Sequence, residues 1–494
     1  MYKHIITVHL VTVCFILISL SLKAQDTLVI SLEQAIEQSE YSVDALVAKN
    51  QFRAGYWEYR TYRAELLPEV MLNGTIPYYS KSYNEFQNSD GTYGFVSNDY
   101  SRINGNLSIN QNIPLTGGKL SLETSLQRLD QYGDKSSTRY MGIPVQISLE
   151  QPIAGFNRVK WLKKIEPIKY DEAKAMLTSQ LEEVRLFAVQ YYFNLLLAQA
   201  NLGIAKQNYE NTGKLYKVAE ARRKIGQISE SDLLQLKISL LKSESYMSDA
   251  QTSFNSSMFQ LRSFLGYNES VILKPLLPGS LMNKMQLDYS NVLSLALENN
   301  QFTHNIQRRL FEASRDLSQA KAERRNINLF ASFGWSGQEN EVLDIYGNLR
   351  DNRLVNIGLR IPILDWGKGK GKVKLAESNR ELVDSKIKKE QLEFNQNIFL
   401  QVENFNKQFK QLSIASETDH IAQTRYNTSI ESFMLGKIDV LNLNDAQVSK
   451  DEARRNYIEQ TYLLWAYYYQ IRSITLYDFI KGEKLATAYD NIVK

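Results

Sequence analysis

The chain of 494 residues carries 58 basic and 54 acidic residues, a formal net charge of +4, and one cysteine. This near-balance of charge excludes a strong electrostatic affinity for nucleic acid. Cys14 and two of the four histidines lie within the first 25 residues, so the rest of the chain retains only His304 and His420. Zinc clusters, disulfides and cysteine catalysis are then excluded by inventory. We therefore expect no enzymatic activity, no bound metal and no cofactor.

Residues 1–24 are predicted to be a cleaved secretory signal. Lys3 precedes an apolar run from Ile5 to Leu22, and Ala24 supplies the small residue expected before a cleavage site. A membrane-spanning helix is the alternative, although the run is at the short end of the range for one. No later segment is as long and apolar, so any later membrane contact must use strands.

Alternating apolar and polar residues predict half-buried strands in two parts of the chain. The four segments with this pattern are about 69–80, 142–153, 328–337 and 353–363. Two more alternating segments form an extra pair at about 104–128, joined by a tight turn that contains Gly117. Aromatic residues are crowded near the first strand, and together with the strands they are typical of an outer-membrane β-barrel. An ordinary soluble sheet with tyrosine-rich loops is the alternative.

Two long stretches, 168–274 and 363–494, contain no proline, as long helices require. Apolar residues recur there in steps of three, four and seven, which is coiled-coil periodicity. Each stretch is interrupted once, at 226–229 and at 436–439, where a glycine can end one helix and Ser229 or Asp439 can cap the next. We therefore predict helical hairpins at about 158–265 and 370–480, with these interruptions as their tips.

The chain is predicted to contain a duplication. An offset of 210 residues relates the two tips, and it also relates Gln151-Pro152-Ile153 to Ile361-Pro362-Ile363. Upstream, the helical segment that begins at Leu32 resembles the one that begins at Leu293, with an offset of 261. Two repeats follow, 25–275 and 276–494, each with helix, strand, strand and helical hairpin. The change of offset places 51 extra residues between the strands of the first repeat.

The order and spacing of these features resemble the TolC family of outer-membrane efflux proteins. The strand ends at 151–153 and 361–367 and the tip at 436–441 are similar to the family's own motifs. The resemblance implies a mainly α fold with a membrane β-barrel, built from two repeats of helix–strand–strand–helical hairpin. It also implies a homotrimer that shares one barrel and a periplasmic α-helical tunnel. Two strands per repeat cannot close a barrel within one chain, which independently favours oligomerisation.

The function implied by the resemblance is the outer-membrane channel of a tripartite efflux or type I secretion system, a passive conduit from periplasm to exterior. Its partners would be a periplasmic adaptor protein, through it an inner-membrane transporter, and outer-membrane lipid. A secreted structural coiled-coil stalk or filament is the alternative. A stalk explains the heptads but gives the strands and the aromatic residues no role.

The resemblance also assigns roles to residues of the hairpin tips. Contact with the adaptor is predicted for Gly226, Ile228, Gly436 and Ile438. A narrow entrance is predicted from Asp232, Lys437, Asn442 and Asp445, with three Asp445 carboxylates forming a ring that favours cations. Lys437 is one residue out of register with the family's basic residue, and Asn442 replaces the outer of two constricting acids. The alternatives are that the glycines only end helices and that Asp445 is an ordinary exposed acid.

The extra strand pair leaves two arrangements open. It can join the barrel wall, which gives 18 strands in a trimer, or fold outside as a cap over 12 strands. The short turn at Gly117 resembles the periplasmic turns of barrels and favours the wall.

Overall fold

The computed structural model describes residues 27–133, 136–279, 285–347 and 353–493, so the signal predicted at 1–24 lies outside the described residues. These residues divide into two units. One comprises the chain up to Arg53 with 174–301 and 392 onward, and the other comprises 54–173 and 302–391. Within the described ranges, no helix has an apolar stretch long enough to cross a membrane.

The elements follow one another twice in a similar order. Those of the first repeat are β1 (Thr27–Ile30), α1 (Leu32–Ser39), α2 (Val43–Ala64), β2 (Glu69–Gln87), β3 (Tyr93–Asn112), β4 (Lys119–Tyr132), β5 (Ser137–Pro152), α3 (Arg158–Lys224), α4 (Glu230–Leu265) and β6 (Ile272–Pro275). Those that follow are α5 (Tyr289–Asn299), α6 (Gln301–Glu323), β7 (Asn328–Glu339), α7 (Val342–Gly347), β8 (Arg353–Arg360), α8 (Lys368–Met434), α9 (Val440–Thr475), β9 (Tyr477–Asp478), β10 (Glu483–Lys484) and α10 (Tyr489–Val493).

One antiparallel sheet of the second unit contains six strands of the described chain, in the order β2-β3-β4-β5-β7-β8. Strand β2 continues to Gln87, beyond the predicted end at about 80, although Pro77 lies in its path. The register between β2 and β3 shifts between Thr75 and Tyr78, so Pro77, which has no N–H to donate to the ladder, stands in an irregularity. Pro144 of β5 lies in a similar shift, between Gly142 and Val145. Both prolines therefore mark bulges within strands.

The four long helices repeat with the offset of 210 at every end. Helix α3 starts at Arg158 and α8 at Lys368, and the second helices, α4 and α9, start at Glu230 and Val440. The first helices have 67 residues each and the second have 36 each. Their heptad positions bury apolar side chains such as Leu195 and Phe405 in one cluster of the first unit. Burial of this stripe stabilises helices far longer than local propensity would sustain.

A tyrosine on α3 joins the short parallel sheet of β1 and β6 to the core of the first unit. The Tyr192 hydroxyl contacts the carbonyl oxygens of Ile30 at 3.0 Å and Leu276 at 2.6 Å, and it accepts from the Leu276 N–H at 2.9 Å. Its side chain is fully buried, and burial raises the pKa of Tyr192 to about 12. The hydroxyl therefore stays protonated and available as a donor.

A buried ionic network fixes the end of α9 in the first unit. Arg472 Nε donates to Glu182 at 2.8 Å, and Arg472 Nη1 donates to Asp478 at 2.8 Å. Tyr468 donates to the other oxygen of Asp478 at 2.7 Å. All four residues are buried, so each charge depends on its partners for compensation.

Candidate functional site

The six-stranded sheet has one apolar face, and the strand register aligns it across all six strands. One row of directly opposite residues runs from edge to edge and consists of Val70, Ile109, Leu122, Ile147, Phe333 and Val355. Each of these side chains is at least 40% exposed, although each is apolar. A continuous exposed apolar band is far larger than a soluble sheet presents to water and indicates contact with lipid or protein.

The opposite face of the same strands is polar. The row of neighbouring positions consists of Glu69, Asn110, Ser121, Ser148, Ser332 and Asn356. Ser108 and Ser121 on this face are buried, and a polar concavity of about 350 Å³ lies between Asn110, Gln146 and Ser332. Apolar residues on one face and polar residues on the other are the pattern of a barrel wall between lipid and a water-filled lumen.

Aromatic and charged side chains replace the apolar row toward the side of the sheet where β2 and β4 end. Arg128 pairs with Asp130 at 3.0 Å, and both positions continue the face of Leu122. The rings of Tyr79 and Tyr132 lie 6.3 Å apart near this level. Tyrosines at the boundary between an apolar band and charged residues are typical of the interface belt of membrane proteins.

The two hairpin tips end their first helices in the same way. Gly226 and Gly436 have φ of 76° and 74°. The N–H of Gly226 donates to Arg223 O at 3.0 Å, and the N–H of Gly436 donates to Phe433 O at 2.9 Å. The N–H of the next residue in each tip donates to the carbonyl oxygen of the residue before that acceptor, Arg222 in one tip and Ser432 in the other, which completes the same C-terminal cap. Both glycines therefore end their helices, and both tips are exposed.

The isoleucines that follow the glycines are only partly exposed. Ile438 packs on a small cluster that includes Phe433 and Leu443. The more exposed apolar residues precede the glycines: Ile225 is 67% exposed and Leu435 is 70% exposed. Sequence reasoning missed this pair, although an apolar residue directly before each tip glycine was a visible signal.

Each predicted entrance residue makes its contacts within its own hairpin. The Asp232 carboxylate accepts from the N–H of Ser229 at 3.3 Å, and the Ser229 hydroxyl accepts from the N–H of Asp232 at 3.1 Å, so Asp232 completes a capping box. Asn442 donates its N–H to the side chain of the cap residue Asp439 at 2.8 Å. The entrance roles of Asp232, Asn442 and Lys437 stay predictions.

Asp445 pairs with an arginine that sequence reasoning missed. Arg425 Nη2 lies 2.5 Å from Asp445 Oδ2, between the two helices of the second hairpin, and both side chains are more than half exposed. The only sequence signal was that the two residues face each other across the tip at similar distances from Gly436. Because the pair is exposed, Asp445 stays accessible to water.

The described residues contain no group of three or more histidine, cysteine, aspartate or glutamate side chains that could hold a metal ion.

The chain matches the family model described as outer membrane efflux protein over residues 119–267 and 292–477, and it belongs to that family. The fold is similar to that of the outer-membrane channel OprN, at 17% identity and a TM-score of 0.64, covering 90% of this chain and 89% of that one. It is also similar to the CmeC outer membrane channel of Campylobacter jejuni, at 13% identity and a TM-score of 0.62, with 93% and 88% covered. The MtrE outer membrane channel of Neisseria gonorrhoeae in its open state gives 14% identity and a TM-score of 0.61, with 90% and 88% covered. Among proteins with curated descriptions, none matches the chain by sequence.

The predicted family and fold class are thereby confirmed. The protein is an outer-membrane efflux channel whose helices extend into the periplasm.

Proposed function

We propose that three copies of this chain form one passive conduit, which exports its cargo with a periplasmic adaptor protein and an inner-membrane transporter. The observation that carries this proposal is the pair of rows across the sheet, with Ile147 and Phe333 on the apolar side and Ser148 and Ser332 on the polar side. A wall with these two faces needs lipid outside and water inside. A conduit of this kind has no need of a catalytic group or a cofactor.

Trimer formation is supported by the edges of the sheet. In the described part of the chain, β2 and β8 each pair with one strand. Unpaired backbone groups are too costly in lipid, so these edges must find partners in other copies. Family membership favours three copies.

Adaptor binding is proposed for the hairpin tips. Both tips are exposed turns with an apolar residue directly before the glycine, Ile225 in one and Leu435 in the other. Together with the predicted contacts Gly226, Ile228, Gly436 and Ile438, they form two similar surfaces that one adaptor could recognise. Small residues at 226 and 436 allow close approach of a partner backbone.

The conduit is tested by inserting the purified protein into planar lipid bilayers. We expect a detergent-stable trimer and discrete conductance steps. A stalk or filament would give neither, and soluble protein without conductance would contradict the proposal.

The adaptor surface is tested by Gly436→Trp, which should abolish export in cells while trimer formation and bilayer conductance persist. Gly91→Trp is the matched control, because Gly91 has a similar φ of 83° and lies in the turn between β2 and β3. Export should survive in that variant. Normal export in Gly436→Trp would rule out the predicted contact.

A further inference from the structure

Strands β3 and β4 are the pair by which the first repeat exceeds the second, and they continue both rows of the sheet. Ile109 and Leu122 lie in the apolar row, and Asn110 and Ser121 lie in the polar row. The Ser121 hydroxyl also donates to Asn110 Oδ1 at 2.7 Å, which links the polar row across the pair. If β3 and β4 folded away from the wall as a separate cap, their residues would not be expected to continue both rows of β2 and β5.

The turn between β3 and β4 lies at the end of the sheet where helix α3 begins. The side-chain nitrogen of Asn157 donates to the carbonyls of Pro114 at 3.0 Å and Leu115 at 3.2 Å. The side-chain oxygen of the same residue accepts from the N–H of Lys160 at 2.8 Å, in the first turn of α3. A Cβ at Gly117 would lie 3.0 Å from Asn157, so the turn and the helix start are in close contact. In an outer-membrane channel this helix side is the periplasmic side.

The directions of the edge strands fit closure between copies. Strand β2 starts on the helix side at Glu69, and β8 ends on that side at Arg360, because the sheet has an even number of strands. The β8 edge of one copy is therefore antiparallel to the β2 edge of the next. Alignment of the strand ends places Leu359 beside Val70 and Ile357 beside Leu72, which continues the apolar face across the junction.

We propose that all six strands of each copy stand in the membrane wall, so that a trimer closes a barrel of 18 strands, with a second copy of this chain on each open edge. This inference rests on the proposed function. Barrel diameter grows roughly in proportion to strand number, so the pore would be about one and a half times as wide as that of a 12-stranded barrel. The extra residues facing the lumen would include Asn110 and Ser121.

The wall is tested by single cysteines on neighbouring positions, labelled with a water-soluble thiol reagent in outer-membrane vesicles. Ser121→Cys faces the lumen and Leu122→Cys faces lipid if β4 is in the wall, so we expect the first to react at least about tenfold faster. Ser332→Cys and Phe333→Cys in β7 are the reference pair, since β7 belongs to the wall in either arrangement. The same alternation is expected there.

The outcomes separate this inference from the proposed function. Equal, fast labelling at 121 and 122 with alternation at 332 and 333 would overturn the 18-stranded barrel and leave the channel intact. Loss of alternation in both pairs would instead overturn the channel. In intact cells, an impermeant reagent should label Ser89→Cys in the β2–β3 turn but not Leu115→Cys, which avoids the positive φ of Gly117. Labelling at 115 from outside would also overturn the 18-stranded wall.

Discussion

The two helical hairpins have the same lengths, but their second helices end with different chemistry. Helix α4 is capped by Gly266, with φ of 75°, a left-handed conformation that glycine adopts freely. The equivalent residue of α9, 210 positions later, is Leu476, with φ of 50°. A leucine in this conformation costs about 1–2 kcal/mol relative to an ordinary one. Neighbouring contacts must therefore compensate in the second hairpin.

The arginines one turn earlier show which contacts these are. In the first hairpin, Arg262 donates to backbone carbonyls, those of Glu269 and Val271. In the second, Arg472 pairs with Glu182 and Asp478 in the buried network. The same helix geometry is thus stabilised by glycine in one copy and, in the other, by a buried charge network that includes the distant Glu182.

Among the variants that test the difference between the two hairpins, Arg472→Met is expected to cause the largest loss of stability. It leaves the buried carboxylate of Asp478 without its cation and leaves Glu182 with Arg185 as its remaining partner, which costs about 3–5 kcal/mol. Unfolding of the detergent-solubilised protein by denaturant should show this loss. Arg262→Met should cost less, about 1–3 kcal/mol, because it removes only hydrogen bonds to carbonyls. Equal losses in the two variants would contradict the difference between the hairpins.

Gly266→Ala is expected to destabilise the first hairpin by about 1–2 kcal/mol, because alanine is strained at the positive φ. Gly203→Ala is the matched control, since Gly203 lies inside α3 and an added Cβ would meet open space. That variant should gain about 0.5–1 kcal/mol from helix propensity. Thermal unfolding of both variants measures the contrast, and a change of the same sign in both would argue against it.

Acid should destabilise the second hairpin more than the first. Burial alone would raise the pKa of Asp478, but hydrogen bonds from Tyr468 and backbone N–H groups and the charge of Arg472 hold the pKa below its ordinary value of 3.8. Because the folded pKa is the lower one, this stabilisation is complete above the unfolded pKa and is lost as pH falls through the folded pKa. The equivalent residue of the first hairpin, Asn268, does not titrate.

The test compares unfolding midpoints between pH 6 and pH 3 for the wild type and Asp478→Asn. The variant should be less stable at pH 6 and less sensitive to acid. An identical loss of stability with pH in both proteins would exclude Asp478 as the source.

The smallest loss of stability is expected from substitutions in the hairpin tips. In the first hairpin Asp232 is committed to a capping box, whereas in the second Asp439 caps the helix and Asp445 forms an exposed pair. Asp445→Ala should therefore cost less than about 1 kcal/mol. If three Asp445 carboxylates line the entrance, the same change should weaken cation preference and block by multivalent cations in single-channel recordings. Arg425→Ala should have the opposite effect, and unchanged selectivity in Asp445→Ala would argue against the ring.

Features with a local cause could be predicted from the sequence. Heptads and tip glycines such as Gly226 and Gly436 indicate helices and their ends through neighbouring residues alone. Strand alternation also predicted that Ile109 and Leu122 share a face with other apolar residues, because the period of a strand is two. Pro77 lies inside the strand predicted at about 69–80, and the structure places it in a bulge of β2.

Features that depend on distant residues could not be predicted. Arg472 and Glu182 are 290 positions apart, and no pattern near either residue indicates the other. The pairing of Arg425 with Asp445 likewise depends on how two helices face each other across a tip. Charges of this kind are identified only when the packing of the helices is known.

The even number of strands in the sheet restricts how such a protein can evolve. A single added strand would leave the following helices on the wrong side of the membrane, so the wall can be enlarged only by whole hairpins. In a trimer, each added hairpin would add six strands to the barrel at once. Pores built on this plan would therefore have a few discrete diameters. One short insertion, such as the one before Ser137, could change the size of the largest cargo admitted while the 67- and 36-residue helices keep their lengths.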